Sequence, residues 1–386
     1  MRVPLLAGNP NLFGYFVACN NRSVMSVTMK DIARDLGVSV VTVSKVLRNH
    51  SDIGEETRQR VLQRIKELRY RPNLSARSLV TGRTFLVGLV VPDLLHPFFA
   101  EIAKALSSTL RKKEYYLIIS SSEEDPELEE REIDQLLGRR LDALIIASVS
   151  PGPDILRRIE DQGTPYVLID RRFPNLSASF VGVDDEAVGR LATEHLIEAR
   201  CKRIAHIRGR ENSVGNQRLA GYRRALEAHG RRVPEEYVVV QNNVDVDSRE
   251  SGRQAMERLL RLPSPPDGVF CYNDPLAMGA MDCILDAGLR IPQDIAVIGC
   301  GNLHYDSSLR VPLSSIDQHS VEIGERAAKL VLRMVENKTA PPPKSIILQP
   351  SVVARLSTQR PTRSKSGPAA KTERADHVSA LPQTRK

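Results

Sequence analysis

The sequence predicts an α/β protein with two domains, an N-terminal three-helix helix-turn-helix domain and a larger core of two doubly wound parallel sheets. Three observations carry that expectation. The chain has 386 residues, more than one average domain holds and fewer than three large ones need, so a small module plus one substantial core is the natural division. Residues 26–70 contain three short helical patterns with a tight turn between the first two. From Phe85 onward, short apolar runs alternate with amphipathic stretches, and the rhythm occurs twice.

Residues 1–25 precede this organisation. Their mildly apolar run from Leu12 to Cys19 is broken by Gly14, and Phe16 to Cys19 faintly resembles a lipoprotein cleavage site without the basic cluster or continuous apolar stretch of an export signal. The segment is expected to be an extra one, either disordered or upstream of a true start at Met25. Thr28 with Asp31 then forms a capping-box pattern that opens a helix carrying Ile32 and Leu36 four residues apart. Gly37, Val38 and Ser39 end that helix and cap the next. The second helix runs from Val40 to about Arg48, turns Val43, Val46 and Leu47 inward, and leaves Val40, Val41, Ser44, Lys45 and Arg48 outside. A third, Glu55 to Arg69, carries Val61, Ile65 and Leu68 on one face.

Pro72 cannot extend that helix and biases Arg71 away from helical torsions. Residues 71–84 therefore read as a hinge, with a short helix over Asn73 to Leu79 and a linker after it. Buried-strand runs follow at Phe85 to Val91, Tyr116 to Ile119, Ala143 to Ile146 and Tyr166 to Ile169. The rhythm resumes at Arg203 to Ile207, Tyr237 to Val240, Gly268 to Phe270 and Ile295 to Ile298. Two lobes follow, with ligand expected at the carboxyl ends of their strands. Residues 357–386 are rich in Ser, Thr, Pro, Arg and Lys without apolar periodicity, and are expected to be a disordered basic tail.

The net charge of +8 is unevenly spread. Residues 26–83 hold 12 Lys and Arg against 6 Asp and Glu, and residues 357–386 hold 7 against 2, so the stretch between them is net acidic. A polyanion would be held by the ends while the middle does something else. The five cysteines are odd in number, spread out and without a Cys-x-x-Cys pair, as in the reduced state of a cytoplasmic protein. Nothing approaches the uninterrupted apolar length of a membrane span. A nucleophile elbow, a Gly-rich phosphate loop and a His-Glu metal motif are all missing, so the sequence gives no support for an enzyme, and neither cofactor nor metal is expected.

The motifs Val27–Ala33, Gly37–Leu47, Tyr70–Asn73 and Ala76–Leu79 are followed in order by Pro97–Phe99, Asp170 with Arg171, Arg218–Tyr222 and Asn273 with Asp274. This order, spanning about residues 27–356, resembles the LacI/GalR family of transcriptional repressors. The resemblance implies a periplasmic-binding-protein-like core at 85–356, with an N-lobe of about 85–183 and 317–342 and a C-lobe of about 184–316 and 343–356. Three crossings are implied, near Val183 and Asp184, at Ser315 to Asp317, and at Pro341 to Lys344. It further implies sequence-specific binding of double-stranded DNA at a pseudo-palindromic operator by a homodimer, with a tetramer as the alternative. Val40, Val41 and Lys45 would reach base edges, while Ser39, Thr42, Ser44 and Arg48 would contact phosphates. Leu79 would wedge into the minor groove, with Asn73 and Arg77 beside it.

A small polar effector, such as a sugar or sugar acid, is implied between the lobes, near Asp93, His96, Phe98, Phe99, Asp170, Arg218, Asn273 and Gly301. The sequence departs from the family at Cys300 and Gly301, where an aromatic residue and an aspartate are usual. Losing that acceptor weakens hydroxyl recognition and, with Arg218 in place, favours an anionic ligand over a plain hexose. For Phe98 and Phe99, packing into the core of the following helix is an equal reading. A solute-capture protein shares the core's fold but has no reason to carry residues 28–83, and an enzyme with two lobes lacks a motif.

Overall fold

The computed structural model describes residues 27–47, 49–71, 78, 81–337 and 341–360. The expectations placed on residues 1–25, Arg48, Asn73, Arg77, Leu79 and the tail beyond residue 360 lie outside them. The chain divides into two units, one ending at Gly82 and one beginning at Arg83.

In the first unit, helix α1 (Met29–Leu36) begins with a reciprocal cap. The Asp31 backbone N–H donates to Thr28 Oγ1 at 3.3 Å, and the Thr28 N–H donates to Asp31 Oδ2 at 3.0 Å. Gly37 ends the helix at φ 65°, a left-handed conformation glycine adopts without strain. Helix α2 (Val40–Leu47) starts where Ser39 Oγ accepts the Thr42 N–H at 2.9 Å. Ile32, Ala33, Val43, Val46 and, from α3 (Glu55–Glu67), Val61 form one small core.

The second unit contains two six-stranded sheets. The N-lobe sheet uses β1 (Leu86–Val91), β2 (Tyr116–Ser121), β3 (Ala143–Ile146), β4 (Tyr166–Ile169), β5 (Ser179–Val183) and β11 (Ser345–Leu348). Its order is β11-β5-β4-β3-β1-β2 and every pairing is parallel. The C-lobe sheet uses β6 (Ile204–Arg208), β7 (Val238–Val240), β8 (Gly268–Cys271), β9 (Ala296–Cys300), β10 (Ser314–Asp317) and β12 (Ser351–Val353). Its order is β12-β10-β9-β8-β6-β7, parallel except for antiparallel β12. Because parallel sheets bury both faces, helices cover each one. The N-lobe has α4 (Pro97–Arg111) and α11 (Ser320–Glu336) on one side, and α5 (Pro126–Gly138) and α6 (Asp154–Asp161) on the other. The C-lobe is covered by α7 (Asp185–Glu198) and α8 (Ser213–Ala228), and by α9 (Ser248–Leu260) and α10 (Asp274–Asp286).

Three expected boundaries are corrected. Strand β11 pairs with β5, from Ser345 opposite Phe180 to Leu348 opposite Val183, so residues 345–348 belong to the N-lobe. The third crossing therefore lies between Leu348 and Ser351 rather than at Pro341 to Lys344. The second lies at Gln318 and His319, because β10 through Asp317 is still C-lobe sheet. Order also extends past residue 356: Ser357 Oγ accepts the Ser314 N–H at 2.7 Å and donates to the Val297 carbonyl at 2.6 Å.

Helices α7 and α8 meet at two glycines. A Cβ on Gly189 would strike the Arg218 carbonyl oxygen, and one on Gly221 would strike that of Glu186. From this same pair of helices the Arg218 side chain reaches Asp185, to which its Nε donates at 2.9 Å.

Candidate functional site

Two surfaces hold the residues singled out by the sequence. The first is the outer face of α2. Val40 and Val41, at its start, are 37% and 61% exposed, whereas Val43 and Val46 are buried. Lys45, one turn on, pairs with Asp52, and both side chains are substantially exposed. Solvent screens such a pair, so the ammonium exchanges it readily for a stronger anion. Ser39 and Thr42 bring their hydroxyls to 2.8 Å, and half-buried Ser44 follows on the same helix. The arrangement is a short apolar step flanked by hydroxyls and a cation, which suits base edges and phosphates.

The second is the cleft where the carboxyl ends of the two sheets face each other. Two ion pairs cross it in opposite senses. Arg171 of the N-lobe donates to Asp245 of the C-lobe. Arg210 Nη2 of the C-lobe stands 2.9 Å from Glu124 Oε1 of the N-lobe, a charge contact without hydrogen-bond alignment. Glu124 Oε2 also accepts the N–H groups of Asp245 and Val246 at 3.4 and 3.3 Å. Glu124, Arg171 and Asp245 are buried, and the Asp170 side chain is only 9% exposed. Burial, with the nearby Asp245 charge adding to it, pushes the Glu124 carboxyl up to about 6. Burial also raises Asp170 to about 6, against the opposing pull of Arg171.

His96 bridges the same gap. Its Nε2 accepts from the Asn273 amide at 3.1 Å, which leaves the proton of the neutral ring on Nδ1, and Nδ1 has no hydrogen-bond partner. Burial holds the imidazole below its ordinary range although Asp245 opposes this.

The expected effector residues separate into groups. Asp93, His96, Asp170 and Asn273 lie at the buried centre of the cleft or its edge. Asp93 accepts the Leu95 N–H at 2.8 Å, and Asn273 Oδ1 caps α10 through the Leu276 N–H at 2.9 Å. Phe98 and Phe99 instead belong to the N-lobe core, packed edge to face at 5.2 Å. Arg218 is engaged within the protein: Nε donates to Asp185 at 2.9 Å, Nη1 to the Tyr272 carbonyl at 2.5 Å and Nη2 to Gln318 at 2.7 Å. Its guanidinium also stands 4.6 Å from the centre of the Tyr272 ring. Gly301 lines neither side of the crossed bridges but a separate depression of about 580 Å³ with Asn302, Asp317 and His319. With its φ of 142° and the Asp274 carboxylate 2.7 Å from where a Cβ would sit, this position would strain any side chain placed on it.

The bridges lie between cavities of opposite character. One, about 850 Å³, is lined by Arg171, Arg172, Phe173, Arg210 and Ser213 among others. The other, about 940 Å³, is lined by Asp93, His96, Glu123, Asp245, Asp247 and Asp282 among others. Glu124, Arg171, Arg210 and Asp245 escaped the sequence reading as site residues, although Asp170 with Arg171 at a strand end was a usable signal. Among the described residues no group of three or more His, Cys, Asp or Glu side chains is placed to hold a metal, and no helix is long and apolar enough to cross a membrane. Cys201, Cys271, Cys283 and Cys300 are buried free thiols.

A helix-turn-helix unit joined to a two-lobed core with a polar cleft defines a DNA-binding regulator with a small-molecule site. Residues 28–73 match the model for bacterial regulatory proteins of the lacI family, and residues 84–355 match the periplasmic binding proteins and sugar binding domain of LacI family. The chain belongs to the lacI family of bacterial regulatory proteins. It is 31% identical over 337 residues to the HTH-type transcriptional repressor PurR of Mannheimia succiniciproducens, covering 86% of this chain and 99% of that one. It is 30% identical over 317 residues to catabolite control protein A of Priestia megaterium, covering 82% and 94%. Among solved structures it resembles the lac repressor dimer bound to operator and the anti-inducer ONPF, with a TM-score of 0.76, 25% identity and coverage of 87% of this chain and 100% of that one. A complex of the regulator CelR with cellobiose matches with a TM-score of 0.65 and 28% identity over 86% and 99%.

Proposed function

We propose that this chain is an operator-binding transcriptional repressor that works as a homodimer, or a tetramer built from such dimers, in the bacterial cytoplasm. It binds a small polar effector between its lobes and does not transform it. The observation that carries the DNA assignment is the face of α2, where two adjacent valines stand in water beside a lysine. Val40 and Val41 offer apolar contact to thymine methyl groups, and Lys45 donates to guanine. Ser39, Thr42, Ser44 and Arg48 hold phosphates, while Asn73, Arg77 and Leu79 form the second, minor-groove element. The lac repressor dimer on its operator and the CelR complex with cellobiose support a dimer, an operator and an effector here by likeness.

The effector acts by changing the balance between lobe arrangements, and about 1–3 kcal/mol of coupling to DNA affinity suffices for regulation. Selection from random duplex DNA with the full chain tests this reading. The expected product is a two-fold-symmetric consensus. A bound pool without any consensus, held only in low salt, would show general polyanion affinity and overturn the assignment.

A further inference from the structure

The cavity on the Arg171 side of the crossed bridges has a composition that selects its ligand. Three guanidinium groups, those of Arg171, Arg172 and Arg210, reach its wall against one carboxylate, Glu211. Arg171 is 3% exposed, and while Nη2 donates to Asp245, Nε and Nη1 have no hydrogen-bond partner. Nε stands 3.5 Å from Asp170 Oδ2, a charge contact only. Buried donors without acceptors are disfavoured, so a molecule that brings acceptors to them binds at an advantage.

Two further features act in the same sense. Helix α8 begins at Ser213 on the cavity wall, and its amino end carries partial positive charge. Phe173, Leu176 and Phe180 supply an apolar side to the same space. Arg218 offers no such opportunity, because three of its nitrogens are already engaged.

Resting on the reading of this cleft as the effector site, we propose that the effector is an organic anion. Its carboxylate or phosphate is held by Arg171 with Arg172 and Arg210, and its carbon face lies against Phe173. This deepens the assignment by naming a ligand class and a different anchoring arginine from the one the sequence suggested.

The test uses the full chain and matched pairs of compounds: gluconate and glucose 6-phosphate beside glucose, and ribose 5-phosphate beside ribose. Thermal shift finds binders and calorimetry measures their affinity. At least one anion is expected to raise the melting temperature where its neutral parent does not, and the two acidic arms separate a carboxylate from a phosphate requirement. Arg172→Gln, at an exposed position, is expected to weaken the anion about tenfold, as loss of a charge-assisted contact does. Arg171→Lys keeps the charge but loses the planar fork, and is expected to weaken it further. Neutral sugars binding as tightly as the anions, or anion binding indifferent to both variants, would overturn the inference and leave the effector reading standing. If no compound binds while the selected DNA site is still recognised, both the inference and the effector reading fall.

Discussion

The outer face of α2 and the interlobe cleft depart from ordinary burial in opposite directions. On α2, Val40 and Val41 stand in water. In the cleft, Glu124, Asp170, Arg171 and Asp245 are taken out of it. An exposed apolar pair and a buried charge are each unfavourable alone, and each is tolerated where something completes it. For α2 the completing partner is outside the chain. For the cleft it is first the opposite lobe, through crossed ion pairs, and then a ligand. The two sets of residues should therefore separate cleanly in experiment: the α2 side chains govern DNA affinity and leave stability alone, while the cleft charges govern the stability of the closed core.

The largest effect is expected from Asp245→Ala, which leaves the Arg171 guanidinium buried without its closest counter-ion. Breaking a buried pair from one side destabilises by about 3–5 kcal/mol. Urea unfolding of the full chain should show it, and a shift below about 1 kcal/mol would mean that the crossed pairs do not hold the lobes together.

Acid dependence gives a smaller, signed effect. The Glu124 carboxyl has an ordinary value of 4.5 and is raised to about 6 in the folded protein. The folded state thus holds this proton more tightly, so the Glu124 contribution to stability falls as pH rises from 4.5 to about 6 and is flat above. Asp170, raised from 3.8 to about 6, contributes with the same sign. Glu124→Gln removes the Glu124 contribution, worth on the order of 1–2 kcal/mol. Its urea midpoint should vary less between pH 4.5 and pH 7 than that of the wild type, and an unchanged slope would contradict the buried-carboxyl account.

The smallest effect belongs to the DNA-reading unit. Thr28→Ala removes half of the reciprocal cap of α1 and should loosen that helix by about 1 kcal/mol. Hydrogen exchange at the amides of α1 reads this directly, and the consensus selected from random DNA should stay the same. A changed consensus would mean that Thr28 contacts DNA instead of merely supporting α1.

Local features were legible in the sequence and long-range pairings were not. Thr28 with Asp31, Gly37 and Ser39 each act within four residues, so the local pattern was enough to place the start and end of α1 and the start of α2. Eight strands announced themselves as apolar runs. Strands β5, β10, β11 and β12 did not, because they are short and carry Ser, Gly or Asp among their few apolar residues. Ser357 looked like tail because it is polar, yet it is buried by satisfying backbone groups of β9 and β10. The cleft was half visible: strand-end positions pointed to Asp93, His96, Asp170 and Asn273. The Arg171–Asp245 bridge joins residues 74 apart, and nothing in either local sequence specifies the other. Arg218 was read as a ligand anchor from its type and place, but Asp185, Gln318 and the Tyr272 carbonyl come to it only in the folded lobe.

The proposed base-reading role of α2 is central, and one binding comparison tests it. The Val40→Ala, Val41→Ala double variant and the wild type would be titrated with the selected site and with a scrambled duplex across several salt concentrations. The expected result is a loss of preference for the selected site of about 10- to 100-fold, of the size that lost base contacts bring. Affinity for the scrambled duplex, its salt slope and the melting temperature should not change, because phosphate contacts and the core are untouched. A double variant that still prefers the selected site as strongly as the wild type would show that these valines do not read bases and would contradict that role.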